Sequence, residues 1–262
     1  MSLIFSAIVP HPPIIIPNIG KGNLKKLENT IKSFEKIRKE LIDNAIDTIF
    51  IISPHGIVQS ESFTLNLSPE FFCDFKNFGD LETKKTWAGN IGLAHRIREQ
   101  LETKAPLQMT TEHELDHGSA IPLLLLTKDL NNIKIIPLSY SGLNNEAHYK
   151  FGQLLKRELI FNKDRVAVIA SGDLSHRITK DAPAGYSPKG KKFDKKLIDL
   201  LEKGKTDEIL KMDHDLINEA GECGLKSILI LLGIIDDIKH TPKLLSYEHP
   251  FGVGYLTMVF EM

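Results

Sequence analysis

Three short segments pose the chemical question. Val9-Pro-His-Pro-Pro13 ends one apolar run, Ile52-Ser-Pro-His-Gly56 ends a second, and Ala170-Ser-Gly-Asp-Leu-Ser-His176 ends a third. His11 and His55 can each offer a neutral ring nitrogen to a divalent transition metal, and an anionic third ligand would complete one face of the coordination sphere. The flanking prolines restrict the backbone and reduce the entropy lost in holding each imidazole. Alone, either histidine reads as a loop or capping residue; their matched strand–Pro-His settings point to one site. Asp173 and His176 follow the third run in the same way.

Two further segments have suitable chemistry. In Glu112-His-Glu-Leu-Asp-His-Gly118, His117 opens an apolar helix, Ala120–Leu126, with Asp116 beside it. That carboxylate can fix an imidazole tautomer or raise its pKa, or simply cap the helix. Glu112, His113 and Glu114 read as solvated. In Glu219-Ala-Gly-Glu-Cys-Gly224, Glu222 and Cys223 precede the helix Leu225–Leu232, where the macrodipole favours an anion and lowers a thiol pKa. Either can supply the third ligand. The plain alternatives are a first-turn acid and a small buried hydrophobe. His95 reads as solvated, His249 as a turn residue, and His148, His214 and His240 lack metal-like company.

The elements that must position these groups alternate between two periods. Short apolar runs, Leu3–Val9, Thr48–Ser53, Ile133–Leu138, Arg165–Ala170 and Val253–Phe260, are bounded by Pro, Gly, Asp or Ser and read as buried strands. Between them, Leu24, Leu27, Ile31, Phe34, Ile37 and Leu41 recur at helical spacing, and Trp87–Leu101, Glu146–Leu159 and Phe193–Leu201 do so more weakly. Thr179–Lys192 reads as a surface connection. This alternation predicts an α/β fold, with one mostly parallel central sheet flanked by helices on both faces and residues 1–262 forming a single domain. In such a sheet, side chains just past the strand C-termini converge on one crevice.

The 262 residues include 33 basic and 34 acidic side chains, a net charge of −1. That balance argues against nucleic acid or an anionic membrane as the main partner. The two cysteines, Cys73 and Cys223, suit a reduced interior, and no apolar run approaches the roughly 20 residues that span a bilayer. A soluble cytoplasmic protein, with a homo-oligomer open to it, is expected. No Gly-rich phosphate loop or G-x-S-x-G elbow is present, and His113 and His117 lack the zincin pattern.

Val9-Pro-His-Pro-Pro13, Ser53-Pro-His-Gly56, Leu115-Asp-His-Gly118, Ser171-Gly-Asp-Leu-Ser-His176 and Glu222-Cys-Gly224 together resemble the catalytic-subunit-B-like (LigB) group of class III extradiol ring-cleavage dioxygenases. The likeness spans nearly the whole chain and is closest to the Memo-like branch, called AmmeMemoRadiSam system protein B. It implies a mononuclear non-heme Fe(II) held by two His and one Glu, cleaving a catechol-type aromatic with dioxygen. By position, His11 and His55 match the histidine ligands, His176 the acid and base beside the substrate, His117 a second active-site histidine and Asp173 a pocket acid. Ring-cleaving members use Glu as the third ligand and Memo-like proteins use Cys, so the resemblance leans to Glu222 and keeps Cys223 as the alternative. A thiolate would suit zinc or copper better. The alternative function is a Memo-like metal-binding redox or interaction protein without ring cleavage; a zinc-type hydrolase ranks third.

Overall fold

The computed structural model describes residues 2–130 and 132–262. Ten strands form one sheet: β1 (Leu3–Val9), β2 (Thr48–Ser53), β3 (Phe63–Asn66), β4 (Glu70–Phe75), β5 (Asp80–Gly89), β6 (Leu107–Thr110), β7 (Lys134–Ser139), β8 (Val166–Ser171), β9 (Thr241–Glu248) and β10 (Tyr255–Glu261). The helices are α1 (Pro17–Gly20), α2 (Glu28–Asp43), α3 (Ile91–Leu101), α4 (His117–Leu126), α5 (Asn145–Ile160), α6 (Pro188–Glu202), α7 (Thr206–Leu210), α8 (His214–Ala220) and α9 (Leu225–Ile234). The fold is α/β, as the alternating periods predict.

The sheet runs β4-β5-β7-β2-β8-β1-β10-β9, with β3 pairing to β7 and β6. Its centre, β7-β2-β8-β1, is parallel throughout, while β10 and β9 add antiparallel pairs at one edge. The central strands are apolar on both faces because both faces are covered. Phe50 and Ile52 of β2 pack into one core with residues of α3, α5, α6 and α9, whereas Ile49 and Ile51 pack into the other with α2 and α4. β8 divides in the same way, Val168 and Ala170 against Ala167 and Ile169.

Several boundaries depart from the sequence reading. Trp87 lies within β5, two residues before its end, rather than starting a helix. The Asn90 side chain accepts from the Leu93 N–H at 3.1 Å, so α3 begins at Ile91. Likewise Ser187 caps α6, which starts at Pro188, so the surface connection is shorter than Thr179–Lys192. No described helix is long and apolar enough to cross a membrane.

One close approach governs the site. The turn after β8 meets the turn before α9 at Gly172 and Gly224, and a Cβ on Gly172 would lie 2.2 Å from the Gly224 Cα. Only a missing side chain permits this, and backbone cannot yield as a flexible side chain can. Gly172→Ala should lower stability by about 1–3 kcal/mol or more, read as a fall in the urea midpoint at unchanged m-value.

Candidate metal centre

β2, β8 and β1 are neighbours in the sheet, so the residues that follow their C-termini meet. His11 follows β1, His55 follows β2, and Asp173 and His176 follow β8. The His11 and His55 Nε2 atoms lie 3.1 Å apart. Cys223 Sγ, brought in by the Gly172–Gly224 contact, is 3.7 Å from His11 Nε2. Among the described residues, His11, His55 and Cys223 form a group whose ligand atoms all lie within 4.8 Å of one another.

These separations fit a shared cation. A nitrogen about 2.1 Å and a sulfur about 2.3 Å from one tetrahedral metal ion are roughly 3.6 Å apart. The tautomer fits as well. The Ser171 hydroxyl donates to the Gly118 carbonyl at 2.5 Å, so its lone pair is left to accept from His11 Nδ1 at 2.8 Å. With its proton on Nδ1, His11 turns a bare Nε2 lone pair toward the group. Burial pulls the His11 pKa down against the opposing charge of Asp173, and burial with the neighbouring His11 and His117 pulls His55 down to about 4. Both shifts favour the neutral imidazole, the form that binds metals. Burial pushes the Cys223 thiol well up, and a metal ion is the kind of charge that stabilises such a thiolate.

Glu222 takes a different place. Its carboxylate accepts from the Leu225 N–H at 2.6 Å, capping α9, and burial pushes it up to about 7. It lies outside the group that joins His11, His55 and Cys223. The structure thus brings together the two histidines with the alternative third residue rather than with the favoured one.

Asp173 is the electrostatic hinge of the crevice and is 6% exposed. Its Oδ1 accepts from the His11 N–H at 2.9 Å, and its Oδ2 lies 3.9 Å from His11 Nε2 and 3.8 Å from His176 Nε2. Although burial favours its protonated form, the charges and hydrogen bonds of His11 and His176 hold the carboxyl below its ordinary value. Burial would lower His176, but Asp173 outweighs it and the net shift is upward. His176 Nδ1 donates to the Gly221 carbonyl at 2.6 Å, leaving Nε2 free to exchange a proton.

His117 stacks on His55 at 4.2 Å between ring centroids, and its edge meets His11 at 5.5 Å. Asp116 serves Ser119 and Ser53 rather than this ring. Its Oδ1 accepts from the Ser119 N–H at 3.0 Å and the Ser53 hydroxyl at 2.5 Å. His249 stays beside Tyr247, with ring centroids 5.8 Å apart. Sequence reasoning missed the roles of Ser171 and Ser53, both last residues of their strands and both buried. A polar residue closing an apolar strand was the available signal.

The family described as the catalytic LigB subunit of aromatic ring-opening dioxygenase matches residues 6–258. Protein CA_C1420 of Clostridium acetobutylicum is 37% identical over 271 residues; the match covers all of this chain, which spans 58% of that relative's length. The 4,5-DOPA dioxygenase extradiol of Beta vulgaris is 28% identical over 189 residues, covering 70% of this chain and 69% of that enzyme. The 3,4-dihydroxyphenylacetate 2,3-dioxygenase of Escherichia coli is 23% identical over 274 residues, covering 95% and 96%. The crystal structure of protein JW3007 from Escherichia coli K12 shares the fold, with a TM-score of 0.70 at 18% identity over 98% of this chain and 99% of that one. With the strand-end histidines and this coverage together, the chain belongs to the LigB family of aromatic ring-opening dioxygenase catalytic subunits.

Proposed function

We propose that residues 1–262 act as one catalytic domain, a metal-dependent oxidoreductase that opens a catechol-type ring with dioxygen. The supporting observation is the facing of His11 and His55 Nε2 atoms at 3.1 Å beside Asp173 and His176. His11 and His55 are the proposed ligands, with Cys223 as the third on its distance and Glu222 as the rival. Iron(II) is the proposed metal, and when bound it would supply a template at which diol and dioxygen meet.

The chain's own residues handle protons and charge. His176 Nε2 takes a proton as the diol binds and returns it to the product, and the nearby Asp173 carboxylate makes that nitrogen more basic. The Gly221 carbonyl holds the opposite ring nitrogen and keeps the imidazole from turning. His117, stacked on His55, stabilises negative charge that develops on oxygen.

A second reading follows from the position of Cys223. A His, His, Cys set is softer than His, His, Glu and suits zinc or copper, which favours a metal-binding redox or interaction protein without ring cleavage. Oxygen uptake and formation of a yellow ring-opened product across a panel of catechols, with anaerobically iron-loaded protein, test the first reading. Absence of both overturns it in favour of the second.

Three substitution sets test the assigned roles. His176→Ala should keep metal content and lower kcat by about 10²–10⁴-fold, whereas His11→Ala should lose metal and turnover together. Cys223→Ser should reduce metal binding while Glu222→Gln leaves it intact; the reverse result would restore Glu222 as the ligand. Ser171→Ala removes the acceptor for His11 Nδ1 and should weaken metal affinity by about 10–100-fold, measured against a chromophoric chelator.

A further inference from the structure

Asp194 of α6 is fully buried and takes no part in the proton transfers assigned to His176. None of the ion pairs among the described residues includes it. Its Oδ1 accepts from the Ser175 N–H at 2.9 Å, and its Oδ2 accepts from the Tyr247 hydroxyl of β9 at 2.7 Å. Both partners donate, so each side needs an acceptor; a carboxylate offers two, whereas an amide would turn an N–H toward one of them. Gly254, just ahead of β10, brings only backbone to this spot, and a Cβ there would collide with Asp194 Oδ2. A buried carboxylate that faces no paired cation is costly. Burial pushes Asp194 up to about 6, against the lowering pull of Tyr247, the Ser175 N–H and His176. Burial and Asp194 together push Tyr247 well up, so the phenol keeps the proton it donates.

That carboxylate holds the turn that carries His176. Ser175 engages every polar group it has. Its N–H goes to Asp194, and its carbonyl accepts from the Gly254 N–H at 2.9 Å. Its hydroxyl donates to the Ala220 carbonyl at 2.8 Å and accepts from the Arg177 N–H at 3.1 Å. The next carbonyl along the chain, that of Gly221, accepts from His176 Nδ1 at 2.6 Å. Consecutive side chains of the turn thus meet consecutive carbonyls at the end of α8. The placement of Ser175 therefore decides whether His176 reaches Gly221 and leaves Nε2 bare, 3.8 Å from Asp173 Oδ2. Of the four partners of Ser175, Asp194 is the one that carries charge, and a charge-assisted hydrogen bond is about twice as strong as a neutral one.

We propose that Asp194 is a positioning residue for His176: with Tyr247 it fixes Ser175 so that the neighbouring imidazole keeps its proton on Nδ1, toward Gly221, and Nε2 free. The inference rests on the acid and base role given to His176 above, although the tautomer it concerns can be read without turnover.

The test uses the full chain loaded with zinc, which is diamagnetic, and reads the His176 ring by nitrogen–proton correlation NMR at about pH 8, where a neutral imidazole shows its tautomer. His176→Gln assigns the signal. The unaltered chain should show the proton on Nδ1. Asp194→Asn should turn that signal into a mixture of tautomers and speed exchange of the Ser175 amide by about tenfold. Tyr247→Phe removes one donor, keeps the carboxylate, and should move both readouts the same way by less. Stability supplies a readout that an ordinary structural contact would not give. With its carboxyl at about 6 in the fold against an ordinary 3.8, Asp194 costs stability as the pH rises between those values. Asp194→Asn should therefore raise the urea midpoint at neutral and higher pH, with the gain fading as the pH falls toward 3.8. If catechols are cleaved, the same substitution should lower kcat by about tenfold or more with KM nearly unchanged. A mixed tautomer in the unaltered chain, or an Nδ1–H tautomer that survives both substitutions, overturns the proposal; cleavage of catechols would then leave the ring-opening reading standing. A tautomer that depends on Asp194 in a chain that cleaves no catechol upholds the positioning role and sinks the ring-opening reading instead.

Discussion

Two ring nitrogens from residues 11 and 55 face each other at 3.1 Å, and this single contact constrains everything around it. Two bare lone pairs at that distance repel, so a proton or a cation must lie between them. His11 cannot readily supply the proton, because Ser171 holds its hydrogen on the opposite nitrogen. Neutral His55 either holds its own proton on Nε2 and donates it to His11, or holds it on Nδ1 and shares a cation with His11. The polar groups nearby are arranged around the same demand. Asp173 contributes negative charge without entering the ligand group, and Cys223 presents a soft donor whose ionised form requires a positive neighbour.

That arrangement depends on backbone proximity rather than on side-chain reach. Strand order β2-β8-β1 places three chain exits side by side. A fourth segment, before α9, joins them because Gly172 and Gly224 let two backbones approach where a methyl group would collide. Gly118 does the same from α4, since a Cβ there would lie 2.6 Å from the Ser53 hydroxyl. The site is thus held by small residues that allow close approach and by serines that direct the imidazoles.

Parts of the fold were legible because their patterns are local. Leu3–Val9 and Thr48–Ser53 read correctly to the residue, since a strand buried on both faces is a continuous apolar run with turn residues at its ends. Strands β3 to β6 and β9 were not legible. β5 and β9 alternate exposed and covered residues among many charges, and β3 and β6 are four residues each, too short for a period to emerge. Asn90 and Ser187 moved two helix starts through capping bonds whose geometry becomes visible only once the chain has turned.

The candidate site divides along the same line. Residue type and position after a strand were enough to single out His11, His55, Asp173 and His176, because the exits of a parallel sheet share one edge; His117 was singled out by its place at the start of an apolar helix. The choice between Glu222 and Cys223 was different. They are neighbours in sequence with similar local settings, and what separates them is the direction each side chain takes as α9 begins: one turns back to cap the helix, the other points at His11. Periodicity reports which face of an element is covered; it is silent about which distant segments meet there, because that depends on packing summed over the whole sheet.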